Sequence, residues 1–196
     1  MIKAVKFKYH GSLGELFKDF REMLEFCIDK ALDIGITSYA KLRKTIYEEW
    51  KQKWYPKYHT HYCHSACKIA CSILKNFRKR KKKGLTDKDR PEIKRNFIKL
   101  EEVLFKFEGN KIRIVTAPRS YVTIKLIVGE YQQGFIETWK GGGLNIGELI
   151  IKQGFIVIPF KKNVKFKNIE AVMTLDVNEK NVTFSLFDEG EKLLRP

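Results

Sequence analysis

The chain opens with an alternation of apolar and charged residues that does not return until about residue 97. Val5, Phe7 and Tyr9 fall on one face and Lys6 and Lys8 on the other, the period of two expected of a half-buried strand. A strand cannot stand alone, so residues 1–10 must pair with strands that come much later. Whatever lies between is then an insertion into a β-domain.

That insertion reads as helix. Ser12 followed by Glu15 has the spacing of a capping box. Leu16, Phe20, Met23, Leu24, Cys27, Ile28 and Ala31 then recur at helical spacing, and Gly35 is placed to stop the helix. A second helix is predicted from Ser38 to about Lys53, with Leu42, Ile46, Trp50 and Trp54 inward and Pro56 as the break. A third runs from about Thr60 to Lys82, with an apolar face from Tyr62 to Phe77. Residues 84–93 read as a linker.

Beyond the linker the period returns to two. Strands are expected at Phe97–Leu100, Leu104–Glu108, Lys111–Val115 and Tyr121–Val128, with Gly109-Asn110 as a hairpin turn. A short helix at Glu130–Trp139 precedes strands at Glu148–Ile151 and Phe155–Ile158, which Pro159 is expected to close. A last hairpin pairs Ala171–Asp176 with Val182–Phe187. The expected fold class is α+β: a β-barrel-like domain (1–10 and 94–168) interrupted by a three-helix insertion (11–93), then a C-terminal β-hairpin (169–196).

Charge narrows the function. Thirty-nine Lys and Arg against 23 Asp and Glu give +16, while 43% hydrophobic residues mark a folding chain and not a basic tail. An excess of this size points to a polyanion, most often nucleic acid; the alternative is a solvated, Lys-rich surface. The charge is also clustered. Lys75, Arg78, Lys79, Arg80, Lys81, Lys82 and Lys83 close the third helix, where cations also suit the helix dipole. If all seven met duplex DNA, the salt slope would reach about −6. Strand-face lysines, Lys6, Lys8, Lys111, Lys161 and Lys162, are the secondary candidates. No stretch approaches the ~18 apolar residues of a membrane span, and the first residues do not form a signal peptide. A cytoplasmic protein with reduced thiols and no membrane partner is expected.

Two clusters admit other chemistry. Cys63, Cys67 and Cys71 lie along one strip of the third helix, near His59, His61 and His64. Such a strip could bind zinc, but it borders the apolar face, and core packing is the expected state. A zinc-dependent DNA-binding regulator is the corresponding alternative function. Asp176 ends an apolar strand before a tight turn. Read from the residues alone, that is a hairpin with an Asx turn.

Three stretches resemble a known family. Pro56–Ala66 through Phe77-Arg78-Lys79 resembles the helical segment that TnpB-type (OrfB) insertion-sequence proteins of archaea place before a β-rich region. Pro118–Val122 through Gly129–Gln132 to Pro159–Lys162 is similar to that region. Leu175-Asp176-Val177-Asn178-Glu179-Lys180-Asn181-Val182 resembles the first RuvC motif, with Asn178 where glycine is usual. These proteins are compact relatives of type V CRISPR effector nucleases. The resemblance implies a wedge-like β-barrel with a helical recognition insert, a guide RNA and DNA as partners, and base pairing that reads sequence while protein charges hold the backbones. It makes the last hairpin the start of a RuvC fold and Asp176 one Mg²⁺ ligand of a nuclease. The family's second and third carboxylates are not matched, so this chain is not expected to cut alone. A fragment, a decayed reading frame, and a half completed in trans by a RuvC-bearing chain all stay open.

Overall fold

The alternation at the N-terminus does form a strand, and its partners are distant. In the computed structural model, which describes residues 1–163, 171–177, 181–188 and 193–194, β1 (Ile2–Tyr9) buries Val5, Phe7 and Tyr9. It pairs antiparallel with β8 (Phe155–Lys161) over seven positions, Ile2↔Lys161 to Lys8↔Phe155. On its other side Lys8 and Tyr9 meet β5 (Ser120–Ile127). The remaining strands are β2 (Phe97–Leu100), β3 (Phe105–Phe107), β4 (Lys111–Ala117), β6 (Asn145–Ile146) and β7 (Leu149–Lys152). Together they form one antiparallel sheet in the order β2-β7-β8-β1-β5-β4-β3, with β6 also on β8.

This sheet is curled. Phe7 on β1 and Phe107 on β3 are separated by two strands along the sheet, yet their ring centroids lie 6.2 Å apart. Phe107 also meets Phe160 on β8 at 6.3 Å. Helix α4 (Glu130–Lys140) closes on the same rings through Trp139 and Phe135. The inner face is therefore a packed aromatic core of a half-barrel.

Helices α1 (Gly14–Asp33), α2 (Tyr39–Trp54) and α3 (His61–Lys82) lie in sequence between β1 and β2, as the change of period requires. Their buried stripes are those expected, Leu16 to Ala31 on α1, and Leu42, Ile46, Trp50 and Trp54 on α2. Both tryptophans of α2 belong to the core, as expected. The helices join one continuous apolar cluster with the sheet. Tyr62 fixes them to β4 by donating to the Val115 carbonyl at 3.0 Å, and the His59 N–H donates to Thr116 at 2.7 Å. Gly35, at φ 67, ends α1 as expected: its N–H reaches Leu32 and that of Ile36 reaches Ala31.

Two local expectations fail. Ser12 and Glu15 do not form a capping box; the Ser12 hydroxyl accepts from Gly14 at 3.3 Å, while Glu15 pairs with Lys57. Salt bridging to the segment before α3 takes the carboxylate that the box would need. Pro159 does not close β8, which continues to Lys161. Its carbonyl accepts from Gly147, so the missing N–H lies on the same side, in the gap between the β7 and β6 pairings, where no ladder bond is required.

Residues Met1–Lys162 form one compact unit and Asn163–Pro196 a second. In the second, β9 (Ala171–Val177) pairs with β10 (Val182–Asp188) in the register Asp176↔Thr183, as the expected hairpin, and β11 (Leu193–Leu194) adds a third strand.

Candidate nucleic-acid interface

Helix α3 is buried as far as Leu74 and solvent-facing beyond it. Lys75, Arg78, Lys79, Arg80, Lys81, Lys82 and Lys83 are all exposed. Among the described residues only Lys81 has a carboxylate partner, Asp89 at 2.8 Å. Arg78 donates to the Gly35 carbonyl, an acceptor that leaves its charge uncompensated. At 1.5 Å per residue the run extends about 12 Å, a rod of positive charge standing out from the core.

The linker after α3 contributes to the same surface, which its composition does not suggest. Arg90 binds Asp29 at 2.8 Å, Arg21 donates to Asn96, and Lys81 holds Asp89, so residues 84–96 fold back across α1 and α3. Two adjoining grooves, about 700 and about 260 Å³, run beneath this segment. Both are lined by Lys88, Arg90 and Lys94, the second also by Arg80. Spacing gave no signal for these residues, because they stand among Asp and Glu and look like a neutral loop.

A second cationic surface covers the outer face of the curled sheet. Strand parity puts Lys6 and Lys8 on that face, opposite to Val5 and Phe7, and puts Lys161 there opposite to Phe160. Lys111 and Arg113 on β4, Lys125 on β5, Lys106 on β3 and Lys152 on β7 share it. Register sets cations directly opposite one another: Lys111 against Lys125, and Lys106 against Arg113. Like charges so placed destabilise a sheet. Glu108 offsets part of this, reaching Lys111 at 3.4 Å and Arg113 at 3.3 Å. Aromatic rings are interleaved: Lys6 lies 4.1 Å from the centre of Phe155, and Arg113 5.3 Å from that of the exposed Tyr121. Lys162 does not join this face. It lines an apolar cleft of about 350 Å³ with Lys3, Tyr131 and Phe135. The structure thus brings four of the five strand-face lysines together and separates the fifth.

The cysteine strip is core. Cys27, Cys63, Cys67 and Cys71 are buried, with Cys67 Sγ 3.9 Å from both Cys27 and Cys63. Contact with Cys67 and burial push the Cys63 thiol far up, and contact with Cys27 pushes Cys67 up. Both are held as protonated thiols, which pack as small apolar groups and are not the thiolates that bind metal.

Asp176 stands on β9 opposite Thr183, five positions along β10 from Asp188. At about 3.4 Å per residue the two backbone positions are roughly 17 Å apart. Two-metal chemistry needs ions about 4 Å apart held by shared carboxylates, so these two strands do not by themselves fit such a pair. Glu179, Glu189 and Glu191 lie outside the described residues.

The chain is similar to several known proteins. Residues 16–115 match the model of the "Uncharacterized protein MJ0013 family". The TnpB-like protein MJ0751 of Methanocaldococcus jannaschii is 56% identical over 93 residues, 47% of this chain and 34% of that protein. The TnpB-like protein MJ1635 of the same organism is 31% identical over 99 residues, 50% of this chain and 23% of that one. The uncharacterized protein MJ0752, also from that organism, is 70% identical over 53 residues, 27% of this chain and 70% of its own length. The chain spans about a third or less of the length of the two TnpB-like relatives. The family model covers the helical block with the first strands after it. On these matches the chain belongs to the uncharacterized protein MJ0013 family and is a relative of TnpB-like proteins.

Proposed function

We propose that this chain is a nucleic-acid-binding protein that holds a guide RNA and DNA, as the wedge and recognition portion of a TnpB-like, RNA-guided DNA endonuclease. The observation that carries the reading is the end of α3, seven exposed cations of which one has a carboxylate partner among the described residues. Such a run contacts phosphate and shape and carries no sequence code of its own. That suits a protein in which base pairing does the reading. The outer face of the sheet supports the same conclusion: a polyanion offsets the repulsion between its opposed cations.

Asp176 would be one Mg²⁺ ligand of a complete RuvC-like site. A site of that kind would need further carboxylates beside Asp176 before it could cut. Mg²⁺ would supply the attacking and leaving oxygens with a shared clamp only where further carboxylates are present.

The test is binding to a structured RNA, to duplex DNA and to heparin across a salt titration, beside a variant with Lys79, Arg80 and Lys81 replaced by alanine. The reading expects tight RNA binding that survives heparin competition. It also expects a salt slope on duplex DNA shallower in the variant by about 0.9 for each phosphate that is no longer neutralised. Equal and weak binding to all three polyanions would overturn it and leave a generic basic surface.

A further inference from the structure

Three potential ligands converge at the opposite end of α3 from the basic run. His61 and His64, three residues apart, lie in the first turn of α3 on one face of the helix. Glu101 sits between β2 and the 3₁₀ turn Glu102–Leu104 and reaches up to them. Glu101 Oε2 is 3.1 Å from His61 Nδ1, and one ligand atom from each of the three residues lies within 4.8 Å of the others. The rings of His61 and His64 are 4.6 Å apart between centroids. No other group of three His, Cys, Asp or Glu residues among the described residues is so placed.

We propose that His61, His64 and Glu101 bind a divalent transition-metal ion of the zinc class, clipping the start of α3 to the corner after β2. Two ligand atoms at about 2.0–2.1 Å from zinc in a tetrahedron stand about 3.3 Å apart. The His61–Glu101 contact needs to open by only a few tenths of an ångström, and the remaining pairs, within 4.8 Å, need to close by at most about 1.5 Å. Two imidazoles and one carboxylate select zinc, cobalt or nickel over magnesium or calcium, which prefer all-oxygen sites. Three protein ligands leave the fourth position to water.

The surroundings hold the carboxylate in place. Lys68 bonds the other oxygen, Glu101 Oε1, and itself reaches Glu148 at 3.3 Å, so Oε2 stays aimed at the histidines. A small cavity of about 10 Å³ borders Glu101, Lys68, Lys99 and Glu148. The Ser65 hydroxyl, 3% exposed and without a hydrogen-bond partner among the described residues, lines it. Arg43 Nη1 lies 3.4 Å from His64 Nε2, a cation that the ion must tolerate or move. This site is distinct from the cysteine strip, whose thiols point into the core. It is also separated from Lys82 by the length of α3, about 30 Å, so it stands or falls apart from the nucleic-acid reading.

The experiment is titration of the chelator-dialysed protein with Zn²⁺ by calorimetry and with Co²⁺ by absorption, beside His64→Ala, Glu101→Gln and His10→Ala. One equivalent is expected, with a Co²⁺ spectrum free of the thiolate charge-transfer band. Loss of a ligand should weaken affinity no less than loss of a group that supports one, about 10–100-fold. His10→Ala, on an exposed residue, should bind as the parent does. Glu101→Gln preserves the side chain's shape, so it remains informative if His64→Ala fails to fold. A thiolate band, unaltered affinity in Glu101→Gln, or no binding by the parent protein would each overturn the site.

Discussion

The end of α3 and the outer face of the curled sheet are both cationic, and they are made in opposite ways. On α3 the charges, Lys75 and Arg78–Lys83, are close in sequence and all exposed, and only Lys81 has a carboxylate partner among the described residues. On the sheet they come from strands up to a hundred and more residues apart, Lys6 and Lys8 on β1, Lys125 and Lys161 on its two neighbours β5 and β8. They are interleaved with Phe155 and Tyr121 and partly offset by Glu108. The helical run is a rod of point charges in which the one ring, Phe77, is half-buried. The sheet face combines charge with rings on which an unpaired base can stack. If both surfaces meet nucleic acid, as proposed, the rod suits a regular backbone and the sheet face a single strand.

The largest effect expected from a single change tests what shapes the sheet face. Phe7 is fully buried and meets both Phe107 and Phe160, so it joins strands that the curl brings together. Phe7→Ala should destabilise the unit Met1–Lys162 by about 3–5 kcal/mol in denaturant unfolding. A loss below about 1 kcal/mol would mean that the rings across the curl do not hold it, and that the sheet face is shaped by its hydrogen bonds alone.

How much of each region is legible in the sequence follows from the same contrast. The run Lys75–Lys83 could be read directly, because residues close in sequence stay within about 12 Å along one helix, whichever face each side chain takes. The alternation of Val5, Phe7 and Tyr9 fixed a strand and the need for distant partners, but not that β8 and β5 would supply them. Lys106, Arg113 and Lys125 escaped notice, since only the register Lys106↔Arg113 and Lys111↔Lys125 sets them together. Pro159 misled because its missing N–H falls in a gap between two pairings. His61 and His64 were visible as part of a His/Cys cluster. Glu101, which turns attention from the cysteines to the imidazoles, comes from a turn forty residues further on.

A middle-sized effect concerns the support of the helical surface. Asp19 on α1 accepts from Tyr58 at 2.7 Å and pairs with Lys57 at 2.6 Å, tying the segment before α3 to α1. Burial pushes the Asp19 carboxyl up, but the hydrogen bonds from Lys57 and Tyr58, with the nearby charges, outweigh it and hold the group below its ordinary value. A carboxylate so depressed stabilises the fold above the ordinary carboxylate range, and that contribution is lost as pH falls through the folded value. Asp19→Ala should therefore cost about 1.5–3 kcal/mol at pH 7, the scale of hydrogen bonds to a charged group. The gap between parent and variant should narrow below about pH 4. A gap that is constant with pH would assign the loss to packing alone.

The smallest effect separates the two surfaces most directly. Tyr121 is 55% exposed on β5, with the Arg113 guanidinium over its ring. It takes no part in the core, so Tyr121→Ala should leave thermal stability within about 0.5 kcal/mol of the parent. If the sheet face receives an unpaired base, the same change should weaken binding to a single-stranded oligonucleotide by about 1 kcal/mol, the low end for one stacked base. If the α3 run holds duplex through phosphate contacts, as proposed, duplex binding should be unaltered, and so should its salt slope. The charge of Arg113 remains in the variant, so any loss reports the ring. Equal weakening on single strands and duplex would show that Tyr121 acts only by positioning Arg113, and the division of labour between rod and sheet would fail.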